Sequence, residues 1–384
     1  MGFMGYLRPD GSVGVRNHVL VMSSVSCANG VVNEIGREVP EVKAVTHTEG
    51  CGRGLADVGI SMRTLIGLGK NPNVVALLMV GLGCEFIKAP NVATAVAATG
   101  KPVEYLVIQE KGGSQKTARV GIEIARELVA HAATLKREEY GWEKLIVGLE
   151  CGGSDAMSGV TANPVVGAAA DWLVEQGGSV ILSETTEMAG TAPILARRAC
   201  SPEVAEKVSA LITSHEKKVH EILGPFAAVA ISPGNMDGGL TTIREKSLGC
   251  IIKGGTSAVN EVIEYAAAPT KKGLIIMDTP GSDIFSMTGE AAAGAQVIIF
   301  TTGRGTPVGF PILPVIKVAT NSKLFEAMSD DMDLNAGRVV EGMSIRAVSE
   351  ELNELLTRVV NGEKTKAEIN RQDVLSIHTV GPAF

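Results

Sequence analysis

The sequence predicts an α/β protein made of two doubly wound, mostly parallel-sheet, Rossmann-like domains. Three observations carry this. Short Val/Ile/Leu-rich runs alternate with longer helical patterns along the 384 residues. The runs are apolar nearly throughout instead of alternating, as expected where helices cover both faces of a parallel sheet. Polar, glycine-rich motifs follow the runs, which is where open α/β sheets bind ligands.

In chain order, the expected strands of the first unit are 18–24 (HVLVMSS), 42–46, 74–80 (VVALLMV) and 103–108. Each is short, rich in β-branched or large apolar residues, and bounded by glycine, proline or charge. A helical pattern over 117–136 closes the unit. The densest charge run, LKREEYGWEK at 135–144, then marks a boundary, giving an N-terminal domain of 1–138 and a C-terminal domain of 143–384. The second unit opens with the expected strand 145–149, followed by a helix over 163–175 and a strand at 179–183. A long amphipathic helix is predicted over 202–222, then strands at 274–277, 297–300 and 315–319, and a last helix over 345–360. No repeat of fixed period is present.

Composition narrows the function classes. The chain is 45% hydrophobic, 20% charged and 4% aromatic with 45 glycines, the profile of an α/β enzyme. Its net charge of −7 and its dispersed basic residues exclude a nucleic-acid partner. The opening residues MGFMGYLRPDGSVGVRN reach Arg8 and Asp10 before any long apolar region, and Tyr6 breaks the myristoylation pattern. The longest apolar run, 74–82, is too short to span a bilayer, so no membrane association is expected. Six cysteines in this length do not form a disulfide framework, which points to reduced thiols in a cytoplasm. A symmetric oligomer is the default expectation.

The chemistry concentrates in three cysteine motifs at expected strand ends: HTEGCGRG (Cys51), VGLGCE (Cys84) and GLECGGSD (Cys151). Thiolates beside His47, Glu49, Glu85, Glu150 and Asp155 suit a borderline metal such as Fe(II) or Zn(II). His47, Glu49 and Cys51 alternate, so an extended backbone would point all three to one side. The competing reading is a core histidine and a buried cysteine beside a turn. Gly152, Gly153 and Ser154 leave backbone N–H groups before a helix, where a substrate carboxylate can sit, while Asp155 can equally be a helix cap.

SETTE puts Glu184 and Glu187 three apart, facing one way if a helical turn begins there; a surface ion-pair role is the alternative. FTTGRGTP, with Thr302, Gly303 and Arg304, reads as an anion clamp and not as a nucleotide loop, because its glycine spacing fits neither dinucleotide nor P-loop patterns. Asp278, Asp283, Asn235, Lys246 and Cys250 lie in further glycine-rich segments that turn chemistry alone can explain. Cys27 is a further thiol or a helix-start residue, and Cys200 reads as structural. No nucleophile elbow and no C-x-x-C occurs.

These segments resemble the altronate/galactarate dehydratases, specifically their large catalytic portion. The matching stretches are GYLRPDGSVGVRN, HTEGCGRG, GLECGGSDAMSGVTANPVVG, ILSETTEM, PGNMDGGLTTIREKSLGCIIKGGTS, DTPGSD, FTTGRGTP and PILPVIKVATN, in order over most of the chain. The resemblance implies a sugar acid as substrate, and Fe(II), with Mn(II) second, as cofactor. Single-chain members open with a small β-rich SAF domain, whereas this sequence starts at GYLRPDGSVGVRN; the resemblance therefore implies a separate SAF-domain subunit. Sulfolactate sulfo-lyases share that layout. Their large subunit lacks several cysteines of HTEGC, GLGCE and KSLGC, all of which this chain keeps, so the likeness leans toward the sugar-acid branch.

The reaction so implied removes the proton beside a carboxylate and expels the 3-hydroxyl. Expected metal ligands are His47, Cys51 and Cys151, then Glu49 and Glu184. Expected proton-transfer residues are Glu187 or Glu150, with Asp155 nearby. Gly152, Gly153, Ser154, Thr302, Gly303 and Arg304 are expected to bind the substrate carboxylate. The rivals are C–S elimination from sulfolactate and a non-catalytic sugar-acid-binding subunit.

Overall fold

The computed structural model describes residues 2–384 and contains two separate parallel sheets. The first has four strands, β1 (His18–Ser23), β2 (Lys43–Val45), β3 (Val74–Gly81) and β4 (Val103–Val107). They lie in the order β2-β1-β3-β4, all parallel. Every residue of β3 is buried, as its uninterrupted apolar run requires of a central strand covered on both faces. Helices α1 (Asn29–Glu38), α2 (Leu55–Lys70), α3 (Ala89–Ala97) and α4 (Ser114–Thr134) supply that cover.

The second sheet has seven strands: β5 (Ile146–Cys151), β6 (Ser179–Leu182), β7 (Val259–Ile263), β8 (Gly273–Met277), β9 (Val297–Thr302), β10 (Val315–Ala319) and β11 (Leu334–Asn335). Their order is β7-β8-β6-β5-β9-β10-β11, again all parallel. β5 is central: the chain runs outward through β9, β10 and β11 on one side, and on the other side through β6 and β8 with β7 at the edge. That reversal makes a crevice beyond its carboxyl end. The principal helices here are α5 (Ala162–Glu175), α6 (Pro202–Leu223), α7 (Ile243–Cys250), α8 (Asp283–Ala293) and α9 (Ile345–Val360). Ser201 and Ser344 cap α6 and α9 by accepting from Val204 N and Ala347 N. Among the described residues no helix is long and apolar enough to cross a membrane.

The boundary region departs from expectation. The charge run at 135–144 was expected to finish a helix, but α4 stops at Thr134 and Glu138–Gly141 forms a strand, paired antiparallel with Gly2–Leu7. Both chain ends also cross the expected dividing line. Arg16 bonds to Glu368 at 2.8 Å and to the carbonyls of Val359 and Glu363. The C-terminal segment returns to the first unit, where Val380 N donates to Asp57 and Phe384 N donates to Gly52 O at 3.0 Å. The two sheets are thus strapped together by the termini.

Candidate active site

The crevice at the end of β5 collects ionisable side chains from four segments. β5 itself ends in Glu150 and Cys151, both buried. After β6 the chain turns through Glu184, which adopts a left-handed φ of 64°, into the short helical turn Thr185–Met188 carrying Glu187. A non-glycine residue in this region is strained, and such strain persists where the surroundings hold it. Here the Glu184 amide donates to Thr279 Oγ1 and its carboxylate accepts from Cys151 N at 2.9 Å. Thr242 caps α7 by accepting from Glu245 N at 3.2 Å, which directs Lys246 and Cys250 into the crevice. The turn Ile251–Gly254 then adds Lys253.

Cys151 Sγ lies 3.3 Å from Glu187 Oε2 and 3.9 Å from Cys250 Sγ. Lys253 Nζ donates to Glu184 Oε2 at 2.6 Å with neither side chain exposed, and Lys246 pairs with Glu187. Cys151, Glu184, Glu187 and Cys250 offer four donor atoms within 4.8 Å of one another; Glu150, Glu184 and Asp283 form a second such group. Glu150 and Glu184 each keep one buried oxygen without a donor. A proton held between these two carboxyls satisfies both. Burial, and then the charges of Glu184 and Glu290, raise the Glu150 carboxyl well above the usual range. For Glu184, burial acts upward but is outweighed by the Lys253 ammonium and by hydrogen bonds, leaving it below that range. Glu150 is therefore the protonated partner.

Burial, then the Glu184 charge, push Glu187 up to about 7 against the pull of its lysine neighbours. Asp283 is raised to about 6, chiefly by burial and then by Glu184. Cys151 is held as a thiol by its contact with Cys250 and by burial. The two soft sulfurs of Cys151 and Cys250 with the Glu184 carboxylate fit a borderline divalent cation, whose charge the two thiols balance once they lose their protons.

The group opens on a cavity of about 880 Å³ lined by Gly152, Gly153, Glu187, Asp283 and several cations, among them Lys217, Arg244 and Lys246. His215 also faces it, hydrogen-bonded through Nε2 to Asp278 at 2.6 Å. Gly152 must stay small, since a Cβ there would lie 2.2 Å from Asp283 Oδ2.

The expected site is brought together only in part. Cys151, Glu184 and Glu187 converge, and Glu150 lies directly behind them. His47, Glu49 and Cys51 lie instead at the end of the four-stranded sheet. There His47 donates from Nε2 to Ser23 O at 2.8 Å and accepts at Nδ1 from Glu49 N at 3.1 Å, so both ring nitrogens are used. Glu49 accepts a two-pronged pair from Arg53 at 2.7 and 3.0 Å. Both satisfy local loop bonds, and neither belongs to the donor group that gathers around Cys151, so of the expected five ligands only Cys151 and Glu184 share that group. Asp155 accepts from Ser158, Thr320 and Asn321, tying its loop to the end of β10. Ser154 is buried and lines a smaller neighbouring cavity. Thr302 Oγ1 accepts from Gly305 N, the Gly303 and Arg304 amides donate to Gly153 O, and the Arg304 side chain is exposed outside the main cavity's lining.

Lys253, Glu290 and His215 were not anticipated. Lys253 and Glu290 do carry a sequence signal, each being a lone charge inside an apolar run (IIKGG, GEAAAG). Glu290 accepts from Leu149 N at 3.0 Å and is raised to about 8, mainly by burial.

Comparison with known proteins fits this geometry. The family model described as "D-galactarate/Altronate dehydratase, C-terminal" matches residues 142–383, and "D-galactarate dehydratase/Altronate hydrolase, second domain" matches 5–133. An altronate dehydratase of Bacillus subtilis (strain 168) is 35% identical over 99% of this chain and 78% of its own length. The galactarate dehydratase (L-threo-forming) of Escherichia coli (strain K12) is 36% identical, over 94% and 73%. The (2R)-sulfolactate sulfo-lyase subunit beta of Chromohalobacter salexigens is also 36% identical, over 95% and 94%. The chain belongs to the D-galactarate/altronate dehydratase family and is a lyase.

Proposed function

We propose that this chain dehydrates a sugar acid of the altronate or galactarate type to a 2-keto-3-deoxy acid. The observation that carries the reading is Glu187, a carboxyl raised to about 7 that faces a large cavity lined by cations. A base poised near neutrality is what removal of a weakly acidic α-proton demands. The substrate carboxylate lies among Lys217, Arg244 and Lys246, and Glu187 takes the proton from the adjacent carbon. Lys246 meets the negative charge that then builds on the carboxylate. His215, oriented by Asp278, gives a proton to the departing 3-hydroxyl, which leaves as water. The enol so formed tautomerises to the ketone.

Cys151, Cys250 and Glu184 are the side chains that would hold a metal, leaving Glu187 free for the proton. Fe(II), or Mn(II) in second place, would supply a Lewis acid for the substrate carboxylate or the hydroxyl when bound. Glu150 holds the proton that keeps Glu184 in place, so it positions and does not react. A small SAF-domain partner is part of this proposal, supported by the subunit relative, 94% of whose length this chain matches. The six free cysteines suit a reducing cytoplasm.

Sulfolactate desulfonation is the second reading, favoured by the same relative. It uses the same α-proton chemistry, with sulfite leaving in place of water. Supplying aldonic and aldaric acids and sulfolactate to the Fe(II)-loaded chain, with and without a SAF-domain partner, separates the two by product. A keto-deoxy acid supports dehydration, and sulfite replaces it with the second reading.

A further inference from the structure

The four-stranded sheet presents a second cluster of thiols that the proposed reaction does not use. Cys27 follows β1, Cys51 follows β2 and Cys84 follows β3, so three adjacent strands each deliver one cysteine at the same edge of the sheet. All three are exposed, whereas Cys151 and Cys250 are buried.

The loops that carry them are bonded to one another. Ser26 N donates to Glu49 O at 2.9 Å, Ser24 Oγ donates to Glu85 Oε1 at 2.9 Å, and Asn29 Nδ2 donates to His47 O at 2.8 Å. Glu85 also accepts from Gly83 N. The other polar side chains of these motifs (His47, Glu49, Glu85) are thus turned inward and satisfied, leaving the thiols to face out. Gly50 and Gly52 flank Cys51 with φ of 137° and 67°, and Gly83 precedes Cys84 with φ of 128°. Those backbone conformations strongly favour glycine. The Cys51 thiol is raised by partial burial and then by Cys27, Cys84 and Glu85, so the three sulfurs share one electrostatic neighbourhood.

Their spacing selects the ligand. A single tetrahedral ion with metal–sulfur bonds of about 2.3 Å needs its sulfurs roughly 3.8 Å apart. Among the described residues only the two groups around Glu184 gather three donors within 4.8 Å of one another, so at least one pair of these thiols lies farther apart than that. A polynuclear core several ångströms across bridges such a spread. Exposed apolar side chains border the thiols in sequence or by contact: Phe86 beyond Cys84, Leu55 beyond Cys51, and Phe384, whose amide bonds to Gly52. Such a rim suits a cofactor that water degrades.

We propose that Cys27, Cys51 and Cys84 hold a [4Fe–4S] cluster by three thiolates, with the fourth iron open. Loading is a ligand exchange: three Cys thiols lose their protons, three Fe–S(Cys) bonds form, and three thiolates of the donor complex leave and take up those protons. No electron is transferred.

The test incubates the full chain anaerobically with a preformed [4Fe–4S]–thiol complex, removes the excess, and measures iron, acid-labile sulfide and visible absorption. Roughly four iron and four sulfide per chain are expected. Cys27→Ser, Cys51→Ser and Cys84→Ser are each expected to lose most of the labile sulfide, while Cys200→Ser and Cys250→Ser keep it. Cys27, Cys51, Cys84 and Cys200 are exposed and Cys250 is buried, and circular dichroism of each variant checks its fold. Any of three results overturns the proposal: wild-type chain that binds iron without sulfide, a disulfide among the three thiols in place of cluster uptake, or full uptake by the triple Cys27/Cys51/Cys84→Ser variant. None of these outcomes bears on Glu187 or the dehydration itself.

Discussion

Lys253 Nζ sits 2.6 Å from Glu184 Oε2 with neither side chain exposed to solvent. This buried pair ties the turn after α7 to the strained turn after β6, and so holds Cys250 against Cys151. Burial lowers the Lys253 ammonium, but the Cys151, Cys250 and Glu184 side chains beside it raise it by more, so it stays charged.

Lys253→Met should leave Glu184 a buried, unpaired carboxylate. Breaking a pair of this kind by removing one partner costs roughly 3–5 kcal/mol. Urea unfolding should read that loss, and a Lys253→Met/Glu184→Gln double variant should recover part of it because the orphan charge is gone. Equal losses in the single and double variants would show that the pair is not coupled.

Glu187→Gln should lower kcat by about 10²–10⁴, the usual contribution of general acid–base catalysis, with little change in KM. Cys151→Ser should abolish turnover together with metal binding while the circular dichroism stays native. Steady-state kinetics and metal analysis on the same preparations check both. Full activity of Cys151→Ser at full metal content would remove Cys151 from the ligand set.

Arg244→Ala should raise KM about tenfold, the effect of losing one charge-assisted contact of about 1.4 kcal/mol. Arg304→Ala should have less effect, since Arg304 lies outside the main cavity's lining. Comparing KM for one substrate in the two variants decides which arginine meets the carboxylate.

The Arg16–Glu368 pair predicts a pH dependence of stability. Burial pushes Glu368 up, but two bonds from Arg16 and the Thr365 amide outweigh it and hold the carboxyl below its ordinary value. A depressed folded pKa stabilises above the unfolded value of about 4.3 and is lost as pH falls through the folded one. Glu368→Gln should therefore destabilise by about 1.5–3 kcal/mol near neutrality, and the gap from wild type should close below about pH 4. A gap that persists unchanged at pH 3 would contradict this.

The sheet strands announced themselves because burial on both faces leaves an apolar run; β3 is the clearest case. β7 was missed because it is an edge strand in which Asn260 and Glu261 interrupt the pattern, and its middle residues stay half-buried. The strand Glu138–Gly141 was hidden inside a charge run because its partner, Gly2–Leu7, is distant in sequence. At the site, Cys151, Glu184 and Glu187 were legible from their positions after strands. Cys250 was visible as a residue but not as a neighbour, since it reaches Cys151 from ninety-nine positions away. His47 misled for a physical reason: the alternation of His47, Glu49 and Cys51 fixes a direction, but nothing local reveals that Ser23 O and the Glu49 amide already occupy both imidazole nitrogens.

The most direct measurement is product identity under defined metal. Wild-type and Glu187→Gln chains, loaded anaerobically with Fe(II) and supplied with a SAF-domain partner, are given a panel of aldonic and aldaric acids and sulfolactate. The expected result is a metal-dependent 2-keto-3-deoxy acid from the wild type, and a loss of at least about a hundredfold in Glu187→Gln at equal metal content. Sulfite as the product, or a Glu187→Gln chain as fast as the wild type, would contradict it.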